Sequence, residues 1–341
     1  MIRPWSVGIC LALLCTGCPD PENGGETGYP NPSGPWASTV ETGPSEGAFL
    51  SVWGPSSDDV WAVGGQLASI ADTGRGMAYR RTDGEWGPTD VPADTPLLNW
   101  VHGRDGEVWA VGNAGAALRF DGSAWQSVDT GVDVPLWGAF VFGPDDVWAV
   151  GGNAFDQETN GIILHYDGST WSESPLPELD RSTAAIFKIF GMSPDDIHAV
   201  GARGVLLHFD GTSWTQEASG TGNDMISLWG NAPDDIVAVG GRSVATVSRW
   251  DGSSWTTDEI RMLPGLNGVW MDPEGRTTIV GNNGVAAVIR DGGFEAESEE
   301  TTISFETLHA VFGLDDGTRV SVGGTLNSNP PYTGIILENA P

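Results

Sequence analysis

The stretch Pro144–Trp171 decides the fold, because its two ends, PDDVWAVGG and GIILHYDGSTW, describe most of one structural unit. The first end predicts an apolar β-strand that stops at Gly151-Gly152. The second end predicts a strand over Ile162–Tyr166 that finishes in an Asp-Gly turn. Trp171 follows at once and opens another strand. With the strand that precedes Pro144, each unit therefore has four strands, which we designate a, b, c and d in chain order.

The same pattern recurs along nearly the whole chain. The glycine that closes strand b falls at Gly64, Gly112, Gly151, Gly201, Gly240, Gly281 and Gly323. The spacing between these glycines is 39 to 50 residues, with a mean of about 43. Seven supersecondary units with this period are typical of a β-propeller. We therefore predict an all-β fold over residues 36–341, a seven-bladed β-propeller of four-stranded antiparallel blades.

The composition of the strands agrees with stacked blades. Strand a usually ends in an aromatic-glycine pair, as in Trp53-Gly54, Phe142-Gly143, Phe190-Gly191, Trp229-Gly230 and Phe312-Gly313. Strand b is almost continuously apolar, which suits a strand covered on both faces by neighbouring blades. The chain has 49 Gly and 16 Trp and no sustained helical periodicity. We therefore expect almost no helix.

The last unit lacks a strand d of its own. Blade 7 supplies strand a over Thr307–Phe312, strand b over Arg319–Val322 and strand c over Gly334–Leu337, and then the sequence ends. Residues Trp36–Gly43 match strand d of blade 2, Trp125–Gly131. We therefore predict that the N-terminal strand completes the last blade. This closes the ring and removes the exposed sheet edges.

Residues 1–17 have the features of a signal peptide. Arg3 supplies a small positive region, and Val7–Leu14 forms an apolar core that is too short to span a bilayer. The following run, Leu14-Cys15-Thr16-Gly17-Cys18, resembles a bacterial lipobox, which implies that Cys18 carries a lipid. Cys15 stands where leucine is usual in the lipobox. A plain cleaved signal peptide is therefore the alternative.

Residues 18–35 join this signal to the propeller. Five Pro, four Gly and three acids over residues 19–35 predict a disordered acidic tether. Such a tether would hold the domain about 25 Å from the membrane. Because Cys10 and Cys15 leave with the signal, the mature chain has no pair of thiols for a disulfide. We expect a monomer anchored to the bacterial cell envelope, at the periplasmic or surface side of the outer membrane.

The formal net charge of −31 argues against a nucleic-acid partner, because phosphate binding requires clustered Lys and Arg. Lys188 is the only lysine in the chain. The negative charge therefore favours partners other than nucleic acid.

The repeats resemble kelch-type propeller repeats, which the central domain of galactose oxidase also carries. The shared features are a double glycine after strand b, an aromatic-Asp pair ending strand c and a Trp soon after, as in Gly151-Gly152, Tyr166-Asp167 and Trp171. The spacing from Asp167 to Trp171 is shorter than the usual kelch turn. The DGxxW ending also resembles the Asp-box repeats of sialidase-like propellers without their spacing. The whole chain is similar to lipoproteins of Gram-negative bacteria that carry such repeats. This resemblance implies the fold and the location and carries over no catalytic residue.

Residues that recur from blade to blade are expected to build the fold. A basic residue stands two places before the Asp of the c–d turn, at Arg81, Arg119, His165, His208 and Arg249. We interpret it as a structural partner of turn carboxylates. The Asp pairs of the a–b turns lack the spaced oxygen ligands of a calcium loop, so solvated turn residues are favoured.

No motif for catalysis or for a metal is evident. The five His show no HxH or HExxH spacing, and His102 and His198 fill slots that are aromatic in other blades. No GxSxG, Walker or Rossmann pattern occurs, and the four Tyr form no obvious constellation. We therefore expect packed imidazoles, no metal, no cofactor and no catalytic residues.

Loop length is the more informative signal for function. The a–b and c–d turns are uniformly short, whereas the b–c and d–a connections carry insertions at Gln66–Arg75, Asn153–Asn160, Ser174–Ser182, Ser219–Asp224 and Thr325–Thr333. Those two kinds of connection emerge on one face of a propeller, which we call the long-loop face. Binding sites are often built from such insertions. The predicted binding residues are Phe155, Asp156, Glu158, Asn160, Asn223, Asn329 and Tyr332.

Three functions remain open from the sequence. The leading hypothesis is a non-enzymatic, lipid-anchored extracytoplasmic propeller that binds a protein or glycan partner through the long-loop face. The second is an enzyme that acts on extracellular polysaccharide, a lyase or a glycosidase, and the third is a purely structural envelope protein. An enzyme should place carboxylates, or an Arg and Tyr set, around the mouth of the channel.

Overall fold

The computed structural model describes residues 35–67, 74–154, 161–290, 293–296, 306–326 and 331–341. These residues form seven sheets, each of four antiparallel strands. Three single turns of 3-10 helix, at Asn113–Gly115, Ala202–Gly204 and Asn282–Gly284, are the only helical elements within these ranges. The predicted all-β seven-bladed fold is confirmed. Within the described residues, no helix has the length and apolar character needed to cross a membrane.

The strands are numbered in chain order. β1 (Ala37–Glu41) precedes blade 1, which contains β2 (Ala48–Ser56), β3 (Asp59–Gln66), β4 (Arg75–Thr82) and β5 (Glu85–Thr89). Blade 2 contains β6 (Leu98–Arg104), β7 (Glu107–Gly112), β8 (Ala117–Phe120) and β9 (Trp125–Ser127). Blade 3 contains β10 (Leu136–Gly143), β11 (Asp146–Gly151), β12 (Ile162–Tyr166) and β13 (Trp171–Glu173).

The remaining blades follow the same order. Blade 4 contains β14 (Ile186–Ser193), β15 (Asp196–Gly201), β16 (Leu206–Phe209) and β17 (Trp214–Glu217). Blade 5 contains β18 (Met225–Ala232), β19 (Asp235–Gly240), β20 (Ala245–Trp250) and β21 (Trp255–Ile260). Blade 6 contains β22 (Leu266–Met271), β23 (Thr277–Gly281), β24 (Ala286–Arg290) and β25 (Gly293–Ala296). Blade 7 contains β26 (Leu308–Gly313), β27 (Arg319–Thr325) and β28 (Thr333–Asn339), and it takes β1 as its fourth strand.

Ring closure by the N-terminal strand is confirmed. β1 pairs antiparallel with β28, with Ala37 opposite Glu338 and Glu41 opposite Ile335. Trp36 is buried just before this strand and packs in one cluster with Trp270. The first and last parts of the chain therefore share one sheet, and the ring of blades has no open seam.

Strand a of each blade is the innermost strand. The first strands of consecutive blades contact one another all round the ring, from β2 and β6 to β22 and β26. Strand b lies next to it and is fully buried, as at Val60–Val63 and Val147–Val150, where most residues have no exposed surface. Coverage on both faces explains the continuous apolar sequence of strand b.

The aromatic-glycine pair of strand a has a packing explanation. The aromatic residues form a belt around the inner part of the ring, consisting of Trp53, His102, Phe140, Phe190, Trp229, Trp270 and Phe312. In four blades the glycine that follows this position leaves room for a ring of the preceding blade, at Gly103, Gly191, Gly230 and Gly313. A Cβ at Gly103 would lie 2.6 Å from Trp53, and one at Gly313 would lie 2.2 Å from Trp270. Any larger residue would therefore displace the belt.

Candidate functional site

Two of the predicted binding residues lie in the described part of the chain, Asn223 and Tyr332. The other five, Phe155, Asp156, Glu158, Asn160 and Asn329, fall outside the described residues, as does the predicted lipidation site Cys18. Asn223 belongs to blade 5 and Tyr332 to blade 7. Within the described part of the chain no contact joins the two, so the structure does not bring them into one cluster.

The strand topology places the b–c and d–a connections on one face, as predicted. In each antiparallel blade, the residues before and after the a–b turn lie at the end opposite to the b–c connection. In blade 5, for example, Met225 and Gly240 pair at the long-loop end, whereas Ala232 and Asp235 pair beside the a–b turn. We call the opposite face, with the a–b and c–d turns, the short-turn face.

A groove lies on the long-loop face at blade 5 and includes Asn223. It has a volume of about 310 Å³ and is lined by Gly222, Asn223, Asp224, Arg242, Ser243, Val244 and Glu259. The Asn223 side-chain amide donates to Thr246 Oγ1 at 2.9 Å and to Glu259 Oε1 at 3.1 Å. These two hydrogen bonds fix the amide in one orientation. The blade 5 groove is therefore rigid where Asn223 forms it.

Arg242 forms the cationic side of the blade 5 groove. Its side chain is 69% exposed, and its guanidinium binds Asp224 through Nε at 2.8 Å and through a terminal nitrogen at 2.7 Å. The backbone N–H of Arg203 donates to the other oxygen of Asp224 at 2.8 Å. The guanidinium carbon of Arg242 also lies 5.9 Å from the ring of Phe187. The arginine is thus held in place while most of its side chain remains accessible to solvent.

Tyr332 lies where blade 7 meets the N-terminal segment. Its backbone N–H donates to the carbonyl oxygen of Pro44 at 3.2 Å, and the residue is half-buried. The nearby strand ends are joined by a hydrogen bond from the N–H of Thr42 to the carbonyl oxygen of Gly334 at 2.8 Å. Tyr332 therefore contributes its backbone to closing the ring.

Lys188 occupies the inner strand of blade 4 near the long-loop face. Its Nζ lies 3.2 Å from the ring centre of Trp100 in blade 2 and 3.4 Å from the carbonyl oxygen of Trp137 in blade 3. Gly138 leaves room for this reach, because a Cβ there would lie 3.3 Å from Lys188 Cδ. Burial lowers the pKa of Lys188 well below its usual value. The sequence did not predict this contact, which links residues 88 positions apart.

A second constellation recurs between blades at the short-turn face. The first residue of strand b is an acid, the third is aromatic, and a basic residue stands opposite on strand c. Blade 1 has Asp59, Trp61 and Arg80, blade 2 has Glu107, Trp109 and Arg119, blade 3 has Asp146, Trp148 and His165, and blade 4 has Asp196, His198 and His208. We call each set an acid–aromatic–base triad.

In blades 2 to 4 the triads show that Arg119, His165 and His208 are structural partners of carboxylates, as predicted. Arg119 donates through two nitrogens to Glu107 at 2.8 Å, and His165 Nε2 lies 2.8 Å from Asp146 Oδ1. In blade 1 the predicted residue, Arg81, lies 3.4 Å from the carboxylate of Glu338 and takes no part in the triad. Arg80, and not Arg81, stands opposite Trp61 and binds Asp59, because the hairpin of β4 and β5 has a shorter turn.

The Asp residues of the c–d turns stabilise those turns through local hydrogen bonds. Asp167 Oδ1 accepts the backbone N–H groups of Ser169 and Thr170, each at 2.9 Å, and Asp121 does the same with Ser123 and Ala124. These hydrogen bonds lower the pKa of both Asp121 and Asp167 to about 2. The same pattern holds at Asp210. Short-turn aspartates therefore have a local structural role.

The packed imidazole predicted at His102 is confirmed. Its ring stacks on Phe140 with centroids 4.3 Å apart, and Nδ1 accepts the backbone N–H of Val141 at 3.0 Å. Burial lowers the pKa of His102 to about 3, so the ring is neutral at pH 7. His102 thus belongs to the aromatic belt, and its Nδ1 also accepts a hydrogen bond from the backbone.

The triad of blade 4 differs from the others, because its aromatic member is also a histidine. His198 and His208 stack with centroids 4.5 Å apart and an interplanar angle of 14°. Asp196 Oδ1 lies 2.9 Å from Nε2 of His208 and 3.4 Å from Nε2 of His198. One potential ligand atom from each of the three residues lies within 4.8 Å of the other two. This is a set of side chains that could hold a metal.

Burial determines the charge of the His198 ring. Its side chain is 2% exposed, and burial lowers its pKa to about 4, so the imidazole is neutral at pH 7. The sequence prediction of no metal motif rested on local spacing, and His198 and His208 are ten positions apart. The register of the β15–β16 hairpin brings them face to face. A D-x-H pair on one strand, opposite a His on the next, is the sequence signal that could have indicated this cluster.

Comparison with known proteins places the chain among β-propellers. No protein-family profile and no curated protein sequence matches it. Its structure is similar to that of YCF48 bound to a D1 peptide, with 16% identity, 92% of this chain and 100% of that chain covered and a TM-score of 0.63. YCF48 from Cyanidioschyzon merolae is similar at 15% identity, with 90% and 99% coverage and a TM-score of 0.65. Streptogramin B lyase is similar at 10% identity, with 89% and 97% coverage and a TM-score of 0.66. These similarities show the propeller fold, and the kelch-type character of the repeats stays a prediction.

Proposed function

We propose that this protein is an exported, lipid-anchored β-propeller that binds a protein or glycan partner through its long-loop face and does not catalyse a reaction. The observation that carries the proposal is the blade 5 groove. It presents a fixed amide, a fixed guanidinium and carboxylate oxygens side by side on the face that holds the insertions. Rigid scaffolds with variable loops are a common basis for binding sites.

The chemistry of the blade 5 groove suits a polar, uncharged or mixed ligand. Asn223 and Arg242 are held by partners within the protein before any ligand arrives. Because these side chains are already ordered, binding costs less conformational entropy than it would with mobile side chains. Donors and acceptors in close alternation suit a peptide backbone or the hydroxyl groups of a sugar.

The attachment of the tether supports binding on the long-loop face. β1 begins beside the last residues of β28, because Ala37 pairs with Glu338. The next residue of β28, Asn339, pairs with Arg319, which is the first residue of strand b in blade 7. That end belongs to the short-turn face. A chain anchored at Cys18 therefore reaches the propeller from the short-turn face. The short tether would hold that face toward the membrane and present the long-loop face to partners.

YCF48, which shares the fold, is bound to a D1 peptide in one structure. A propeller of this shape can therefore hold a peptide, and peptides are a sensible ligand class to test beside glycans. The streptogramin B lyase similarity leaves an enzyme as the competing function. In the blade 5 groove, the two carboxylates Asp224 and Glu259 are already engaged by Arg242 and Asn223. This engagement favours binding over acid–base chemistry.

The test begins with the full chain in detergent, applied to a glycan array and to a peptide array. For each ligand found, affinity is compared between Arg242→Ala and Arg249→Ala, which remove exposed arginines from opposite ends of the same blade. Arg242→Ala should weaken binding about tenfold, because a groove arginine is a typical hot-spot residue. Arg249→Ala should leave the affinity within about twofold, since it lies at the short-turn end.

Two results would overturn the proposal. If Arg249→Ala weakens binding as much as Arg242→Ala while both variants remain folded, the long-loop face is not the binding face. If the protein releases reducing ends or unsaturated fragments from envelope polysaccharides, and Arg242→Ala abolishes that release, the function is that of a lyase or glycosidase.

A further inference from the structure

The blade 4 triad contains a buried imidazole whose ring nitrogens are not satisfied. Neither Nδ1 nor Nε2 of His198 has a hydrogen-bond partner, although the side chain is only 2% exposed. A buried polar atom without a partner costs about 1–3 kcal/mol, so such atoms call for an explanation. In blades 1 to 3 the same position is filled by a tryptophan, which gains more apolar burial and has a single polar atom.

The distances between the donor atoms around His198 match those of a metal site. Two tetrahedral ligand atoms that are each about 2.0–2.1 Å from zinc lie about 3.3 Å apart. Asp196 Oδ1 is 3.4 Å from Nε2 of His198 and 2.9 Å from Nε2 of His208. The two rings are nearly parallel, so coordination requires them to tilt until their lone pairs converge on one point.

Glu217 lies behind both imidazoles, on the side where metal-binding histidines usually have a carboxylate, but beyond hydrogen-bond distance. Its two carboxylate oxygens lie 3.9 Å from Nδ1 of His198 and 3.9 Å from Nδ1 of His208. The indole N–H of Trp255 donates to the same carboxylate at 2.6 Å and fixes it. A carboxylate behind the far nitrogen of a histidine orients the ring and raises its basicity toward the metal. Both rings share this arrangement here.

An acidic cleft leads to the cluster from the short-turn face between blades 4 and 5. It has a volume of about 290 Å³ and is lined by Asp195, Asp196, His198, His208, Asp210, Pro233, Trp250 and Gly252. Carboxylates at its mouth attract cations. The cleft also leaves space for a water or a ligand atom as the fourth ligand of a tetrahedral ion.

We propose that Asp196, His198 and His208 form a site for a divalent transition metal, with zinc as the best fit, and that Glu217 positions the two imidazoles. Two nitrogen ligands and one carboxylate suit zinc and neighbouring metals, whereas calcium and magnesium favour oxygen ligands throughout. Three protein ligands and one open position are the pattern of zinc sites that bind a further ligand. The site lies on the opposite face from the blade 5 groove, so it is independent of the function proposed above.

The test is metal binding to the full chain in detergent after treatment with EDTA and desalting. Titration with Zn²⁺ by calorimetry should show one tight site, and titration with Co²⁺ should produce the visible absorption of a tetrahedral nitrogen–oxygen site. His198→Trp and His208→Gln should each weaken binding about 100-fold or more, since even outer-shell changes cost 10–100-fold. Glu217→Gln should weaken it about tenfold.

Blade 3 provides the matched control. His198→Trp reproduces the Asp-Trp-His set that blade 3 already accommodates, so this variant should fold. His165→Gln removes the equivalent histidine of blade 3 and should leave zinc affinity within about twofold. If His198→Trp and His208→Gln bind zinc as tightly as the unmodified chain, or if the unmodified chain binds no zinc tightly, the proposed site does not exist.

Discussion

Trp36→Ala tests the closure of the ring by the N-terminal strand. The Trp36 side chain is 4% exposed and packs with Trp270, Leu308 and Leu337 of the last two blades. Removing the indole withdraws about 200 Å² of apolar surface from burial, which at about 25 cal/mol per Å² corresponds to about 5 kcal/mol. Large-to-small core substitutions of aromatic residues cost about 3–5 kcal/mol. We therefore expect the free energy of unfolding to fall by about 3–5 kcal/mol.

The assay is thermal and chemical unfolding, followed by circular dichroism. In a large domain Tm changes by about 2 °C for each kcal/mol of unfolding free energy, so Tm should fall by about 6–10 °C. Thr39→Ala is the matched control, because Thr39 lies exposed on the same strand and makes only a long hydrogen bond of 3.4 Å to Ile336. It should change stability by about 0.5 kcal/mol or less. A loss below about 1 kcal/mol for Trp36→Ala would refute the energetic contribution assigned to the seam.

Three further predictions follow from the sequence and the structure. Cys18→Ser should release the protein into the soluble fraction, as measured by membrane fractionation with fatty-acid labelling. Burial lowers the pKa of His102 from 6.5 to about 3. Between these pH values the imidazole is protonated in the unfolded chain and neutral in the folded protein. The free energy of unfolding should therefore decrease as the pH falls from 6.5 toward 3. His102→Phe should reduce that loss by about 1.4 kcal/mol per pH unit. Gly313→Ala should destabilise the protein by about 1–3 kcal/mol, because its Cβ would lie 2.2 Å from Trp270, whereas Gly222→Ala, with its nearest contact at 3.9 Å, should be nearly neutral.

Each of these predictions has a clear contrary result. Labelled fatty acid on the Cys18→Ser protein would exclude Cys18 as the only lipid site. An unchanged dependence of stability on pH between 6.5 and 4 in His102→Phe would show that another group takes up the proton. Equal unfolding curves for Gly313→Ala and Gly222→Ala would contradict the packing explanation of the aromatic-glycine pair.

The sequence alone determined the number of blades, the order of strands and the closure of the ring. Turn residues and apolar runs act over a few positions, so units such as Pro144–Trp171 can be read locally. The closing strand could be predicted as well, because Trp36 repeats the pattern of Trp125 in strand d. The long-loop face followed from connection lengths, since antiparallel pairing sends alternate connections to opposite ends.

Only the tertiary structure decided which side chains meet. Arg80, and not Arg81, pairs with Asp59 because the register of one hairpin differs by a residue from that of the other blades. Lys188 reaches Trp100 across a whole blade, a contact that no local pattern encodes.

The cluster of Asp196, His198 and His208 depends on strand pairing in the same way. Two histidines ten positions apart stack only because β15 and β16 align them. Their common environment, between blades 4 and 5, is set by packing between repeats. Local sequence specifies the strands and turns of each blade, whereas the register and stacking of blades determine which side chains form a site.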